Sequence, residues 1–208
     1  MTEDRSLLAT LDRLFAGPRE AQLTIAGFLD GLETRSYPFI VAALVLPCCI
    51  PTGIPLISTV LGVPMVFVVA QAFLGRTTPW LPESIGRRSV SRGRLQDFLV
   101  RMRPRLERIE AAIHPRYSWW VTGVPRRSLH VCCTLLIVIL ALPIPFDNLF
   151  PAWGILFFCL ALLEDDGLMA MLGWLMTVIT LAWTAFLFTI GQAAVSAVFT
   201  ALRDLLFG

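Results

Sequence analysis

The sequence predicts an all-α integral membrane protein: two homologous halves, each an amphipathic helix plus a proline-broken, possible re-entrant, apolar helical hairpin, with a long final transmembrane helix. Three observations carry that expectation. Hydrophobic residues make up 56% of the 208 residues and mean hydropathy is +0.73, above the apolar share of ordinary soluble domains. Stretches 36–75, 131–146, 148–163 and 167–202 contain no Asp, Glu, Lys, Arg or His. Landmarks of the first half recur about 96 positions further on.

A bilayer core takes roughly 20 helical residues per crossing, so the four charge-free stretches have room for about three to six crossings. The N-terminal residues MTEDRSLLATLDRLF mix acids and arginines and contain no apolar run before a small-residue cleavage site, so no signal peptide is read there. All 17 basic residues are arginine, and those from Arg76 to Arg127 crowd one polar interval. Positive-inside bias assigns that interval to the cytoplasm, so the expected protein is multi-pass with its arginine-rich interval on the cytoplasmic side. Cys48, Cys49, Cys132, Cys133 and Cys159 sit in apolar stretches without metal-ligand spacing, and read as small apolar fillers.

The repeat is visible in four landmarks that keep their order. Leu46-Pro47, followed by Pro55, returns as Leu142-Pro143, followed by Pro151, a shift of 96 positions. Upstream, Leu11-Asp12-Arg13-Leu14 corresponds to Leu106-Glu107-Arg108-Ile109, and Pro18-Arg19 to Pro115-Arg116. This divides the chain into a first repeat at 11–75, a cytoplasmic arginine-rich linker at 76–105, a second repeat at 106–190 and a C-terminal interfacial helix at 191–208.

Each half is interrupted by prolines: Pro47, Pro51 and Pro55 in the first, Pro143, Pro145 and Pro151 in the second. A proline removes an amide donor and clashes with the preceding turn. Backbone groups freed in hydrocarbon need a partner in protein or in a wet cavity. Paired, interrupted segments in two halves are the sequence mark of a transporter-like site, against the plainer reading of tight turns at the far membrane face.

Ionisable and amide groups near such segments are the candidates for function. Asp147, with Asn148 beside it, lies in the second break, whereas the first has no acid. Glu164, Asp165 and Asp166 precede Gly167; they read either as a solvated turn or as a group with one acid facing an arginine or coupling to protons. Gln71 is a lone amide in an apolar helix, either bonded to a neighbour or facing a cavity, and Arg76 marks the exit to the headgroups. Leu95, Phe98, Leu99, Met102, Leu106, Ile109 and Ile113 recur at helical spacing, with Arg94, Arg101, Arg105 and Arg108 on other faces. That pattern suits anionic lipid headgroups. Glu107 and Glu110 interrupt the arginine run and no recognition motif accompanies it, so nucleic acid is not an expected partner. No phosphate loop, HExxH or GxSxG is present; neither a cofactor nor a metal is expected, nor an enzyme.

QAFLGRTTPWLP at 71–82 and LPIPFDNLFPA at 142–152, with GIPLISTVLG at 53–62 and PRLERIEAAIHPR at 104–116, resemble the ExoD family of bacterial exopolysaccharide-synthesis proteins over nearly the whole chain. The resemblance implies an inner-membrane protein linked to exopolysaccharide production and, in some members, to growth in alkali; it implies no reaction. Members tend to carry a basic residue where this chain has Asp165. The expected function is a small transporter or ion-coupled membrane protein, its pathway framed by the two breaks and its thin wall completed by a homodimer. The alternative is a non-transporting accessory or scaffold subunit working with polysaccharide-synthesis proteins.

Overall fold

The computed structural model describes residues 7–32, 35–50, 55–74, 76, 78–80, 82–113, 115–142 and 147–207. Helices run as α1 (Leu7–Phe15), α2 (Ile25–Leu32), α3 (Ser36–Val45), α4 (Pro55–Phe73), α5 (Glu83–Gly86), α6 (Arg92–Ala112), α7 (Gly123–Ala141), α8 (Leu149–Glu164) and α9 (Gly167–Phe207). Two short strands, β1 (Gln22–Thr24) and β2 (Ser89–Ser91), and two 3-10 turns, Leu46–Cys49 and Ser118–Trp120, complete the described elements. The all-α expectation holds apart from this small ribbon.

The elements sort into two layers, each with its own apolar cluster. In the first, Leu8, Leu11 and Phe15 of α1 close on Leu99 of α6. β1 pairs antiparallel with β2, Gln22 opposite Ser91, which ties the two ends of the layer together. The last carbonyls of α1 have no partner within the helix. Arg92 Nη1 donates to Leu14 O at 2.8 Å and to Ala16 O, while Gln96 Nε2 donates to Phe15 O at 2.8 Å. Arg103 Nη2 grips both Asp12 carboxylate oxygens at 2.6 and 2.8 Å, and Arg19 meets Asp97 at 2.6 Å. The predicted amphipathic helix is therefore α6. Its apolar face is covered by α1, and the boundary expected at 105/106 falls inside it.

The second layer is the apolar bundle of α3, α4, α7, α8 and α9, with Val45, Met65, Leu136, Leu140, Ile155 and Phe158 fully or almost fully buried in its core. Two of its helical segments end at the residue before a proline, while Pro64 is carried inside α4. A residue before proline is pushed out of the helical region. Ile50, before Pro51, has φ −95° and ψ 127°. Leu142, before Pro143, has φ −71° and ψ 136°. Leu46 stays helical at φ −48° and ψ −45°, and Pro47 is accommodated by tightening to the 3-10 turn. Leu46-Pro47 and Leu142-Pro143 thus align in sequence but not in backbone: the first chain leaves its helix four residues later.

Two of the six break prolines start helices. Pro55 is the first residue of α4, and Pro151 lies in the first turn of α8, where amides lack intrahelical acceptors anyway. Pro51, Pro143 and Pro145 lie outside the described residues.

Direction follows from a few contacts. Arg116, just before α7, holds the start of α9, and Thr184, well along α9, reaches Asp147 beyond the end of α7. At the same far end α4 crosses α7 at Gly62, where a Cβ would stand 2.8 Å from Ala141 Cα. Among the described residues one helix stretch, Gly167–Gln192, is long and apolar enough to cross a membrane by itself. The other apolar helices are shorter, and α7 carries Arg126, Arg127 and His130 in its first turns, so the expected three to six crossings are not met by length and composition alone. Helical backbone continues through Gly191 to Phe207, so no break separates an interfacial helix there.

Candidate functional site

Two almost fully buried aspartates, Asp147 and Asp166, occupy opposite ends of the α8–α9 hairpin. At 1.5 Å per residue, the 16 residues of α8 put them roughly 24 Å apart along the helix.

At the far end Asp147 is 1% exposed. Thr184 Oγ1 donates to its Oδ1 at 3.0 Å and its Oδ2 at 2.8 Å. Asn148 is the N-cap residue of α8 and is half-buried; its backbone carbonyl accepts from Ala152 N at 3.2 Å, while its side chain makes no cap bond. Nearby, Phe150 meets Trp183 edge to face at 5.8 Å.

At the near end Asp166 is fully buried and caps α9, its Oδ1 accepting from Leu168 N at 2.8 Å. Arg116 Nε lies 3.2 Å from the same oxygen, and Oδ2 has no hydrogen-bond partner. Gly167 N donates to Arg116 O at 2.7 Å, and a Cβ at Gly167 would stand 2.3 Å from Tyr117 O. That approach leaves room only for glycine. Asp165 and Tyr117 both have left-handed backbone, φ 51° and 49°, at this junction. Asp165 faces Arg126 at 3.9 Å, and Glu164 is buried at the end of α8. The solvated-turn reading of 164–166 is corrected for two of the three: Glu164 and Asp166 are withdrawn from solvent, Asp166 beneath Arg116 of the segment before α7.

Between the two acids runs a stripe on α9 of Asp166, Ala170, Gly173, Thr177, Thr180 and Thr184, spaced four and three alternately, which puts it on one helix face. Thr177 and Thr180 are buried and return their hydroxyls to Gly173 O and Met176 O, each at 2.8 Å. Packing is close: Phe158 Cδ1 would lie 2.5 Å from a Cβ at Gly173.

Gln71 belongs to neither acid. Its Nε2 donates to Trp80 O at 3.2 Å and its Oε1 accepts from Trp80 N at 2.5 Å, so it staples the segment after α4 back onto the helix. Arg76, in that segment, is exposed. All five cysteines are free thiols, and among the described residues no cluster of three His, Cys, Asp or Glu side chains is placed to hold a metal ion.

The sequence therefore pointed to both aspartates but not to their partners, Thr184 and Arg116. The stripe's four-three spacing was available to find Thr184.

Residues 7–186 match the family described as "Exopolysaccharide synthesis, ExoD". Protein ExoD of Rhizobium meliloti (strain 1021) is 28% identical over 197 residues, covering 93% of this chain and 80% of that protein. An uncharacterized protein of Synechocystis sp. is 27% identical over 169 residues, covering 81% of this chain and 80% of its own length. No solved structure matches the chain.

Proposed function

The chain belongs to the ExoD family, which ties it to exopolysaccharide synthesis, and from that premise we propose that it works there as a small ion-coupled membrane protein in which Asp147 is the ion-responsive group.

The observation that carries the membrane reading is the outer surface of the bundle. Val60, Val63 and Phe67 on α4, Val131, Leu135 and Val138 on α7, and Met171, Leu175 and Val178 on α9 are all exposed. Contiguous apolar surface on that scale is what water excludes and lipid accepts. Aromatic side chains rim it at both ends: Trp80, Tyr117 and Trp119 are exposed near the polar layer, and Trp153 near the far end. With 19 residues, α4 measures about 28 Å, close to the ~30 Å hydrocarbon thickness, and α7 is as long with Arg126 and Arg127 in the first turns at its polar-layer end. In this reading both hairpins turn near the far face, and Asp147 lies close to that face with the polar layer on the cytoplasmic side.

Ion coupling is supported by the setting of Asp147. A carboxylate taken out of water needs compensation, and its recorded partner is one neutral hydroxyl. A proton or a cation that reaches such a carboxylate supplies the missing compensation. Phe158 packs closely on Gly173 in the α8–α9 seam, which supports a pathway between two copies of the chain over one through this seam. The second reading, an accessory subunit of polysaccharide assembly, is favoured by the polar layer of α1, the ribbon and α6, which offers a built surface for a protein partner.

Purified protein in vesicles loaded with a pH-sensitive dye tests the first reading. Ion-dependent pH change that disappears in Asp147→Asn supports it; an inert wild-type protein that retains a polysaccharide synthase on purification favours the second.

A further inference from the structure

The arginines of α6 divide by face. Arg92 and Arg103 point to α1 and are committed to its carbonyls and to Asp12. Arg94, Arg101 and Arg108 are exposed, seven residues apart, on the opposite face, and have no recorded partner among the described residues. Seven residues are about 10.5 Å, so the three charges form a straight row roughly 21 Å long. Phe98, 58% exposed, lies between the first two, and Val100, 70% exposed, flanks the row. Of the acids on or beside this face, Asp97 is engaged by Arg19 and Glu107 lies at the flank.

We propose that this face of α6 docks on the anionic lipid headgroups of the membrane in which the bundle sits, an inference that rests on the membrane reading above. An arginine row alone would suit any polyanion. An exposed phenylalanine within it and an exposed valine at its flank suit a surface whose charge overlies hydrocarbon, because arginine stems and the phenylalanine then enter the same boundary. Continuity argues the same way: α6 leads through the exposed aromatics Tyr117 and Trp119 directly into α7. The fold has withdrawn Arg92 and Arg103 for internal use and left a row with a single orientation. Docking holds α6 parallel to the bilayer and fixes the polar layer against it.

The test uses the full chain with its five cysteines replaced by alanine. An environment-sensitive fluorophore is attached at Phe98→Cys or, as an insertion control, at Val138→Cys on α7, and each protein is reconstituted in phosphatidylcholine vesicles with or without phosphatidylglycerol. The proposal expects the probe at 138 to report hydrocarbon in both vesicles, and the probe at 98 to move to an apolar environment only with phosphatidylglycerol. That shift is lost in high salt and in R94Q/R101Q/R108Q. A probe at 98 that stays in water with phosphatidylglycerol while 138 reports hydrocarbon overturns the docking. So does a response at 98 to dissolved acidic polysaccharide but not to anionic lipid. A probe at 138 that reports water in both vesicles fails the membrane reading instead.

Discussion

Thr184 Oγ1 donates to both carboxylate oxygens of Asp147, at 3.0 and 2.8 Å, and so ties the start of α8 to the middle of α9. Hydrogen bonds to a charged group contribute about 1.5–3 kcal/mol. Thr184→Val keeps the shape and removes the donor, and is expected to cost about that much stability; Thr184→Ser is expected to retain most of it. Denaturation of the detergent-solubilised protein, wild type and both variants, measures the difference. Loss in Ser with none in Val would show that the methyl, not the hydroxyl, is what matters.

Asp166 does two jobs at the other end of the hairpin, as the cap of α9 and as the partner of Arg116. Losing a cap costs about 1 kcal/mol, and breaking a buried pair about 3–5 kcal/mol. Arg116 keeps partial contact with solvent, so the lower end of that range applies. Asp166→Ala removes both functions, whereas Asp166→Asn keeps a capping oxygen. Asn is expected to lie clearly between Ala and wild type in thermal stability, and an Asn variant as unstable as Ala would place the whole effect in the charge.

Gly173 permits the approach of Phe158, whose Cδ1 would lie 2.5 Å from an added Cβ. Overpacking of this kind costs about 1–3 kcal/mol. Gly173→Ala is expected to fall in that range, and Phe158→Leu in the same chain to recover part of it, since the obstacle is a side chain. Gly167→Ala meets the carbonyl oxygen of Tyr117 at 2.3 Å, which no side-chain change relieves. A second-site rescue of Gly167→Ala by trimming Tyr117 would contradict the backbone contact.

Gln71 makes two bonds to the backbone of Trp80. Gln71→Leu is expected to raise hydrogen exchange at the Trp80 amide and its neighbours while leaving amides of α8 and α9 unchanged. Exchange that rises across the whole bundle would give Gln71 a core role instead of a local one.

Pre-proline geometry at Ile50 and Leu142 explains why the helix ends were readable from sequence: the restriction is local and acts before any tertiary contact forms. Local chemistry also exposed the amphipathic character of α6. It did not reveal that α1 covers the apolar face, because a nine-residue amphipathic helix has no sequence mark for its partner. The ribbon of Gln22–Thr24 with Ser89–Ser91 was unreadable for the same reason: three residues per strand carry no periodicity, and the pairing closes 67 positions of chain. At the acids, burial of Asp147 beside a hydroxyl and of Asp166 beside an arginine depends on which segment folds over them. Composition favoured a solvated turn at 164–166 because three adjacent charges are costly in hydrocarbon; the chain resolves that cost by turning Asp165 outward to Arg126 and capping a helix with Asp166.

The central claim is that the bundle crosses the membrane with the polar layer on one side and the far end of α9 on the other. Single cysteines at Ser84 and Gly191, both exposed, in a chain whose own five cysteines are replaced by alanine, allow a direct measurement with a membrane-impermeant maleimide. Position 191 is expected to react in intact cells stripped of their outer membrane and position 84 only in inverted inner-membrane vesicles. Reaction of both positions from the same side, or recovery of the protein in the soluble fraction, would contradict the account.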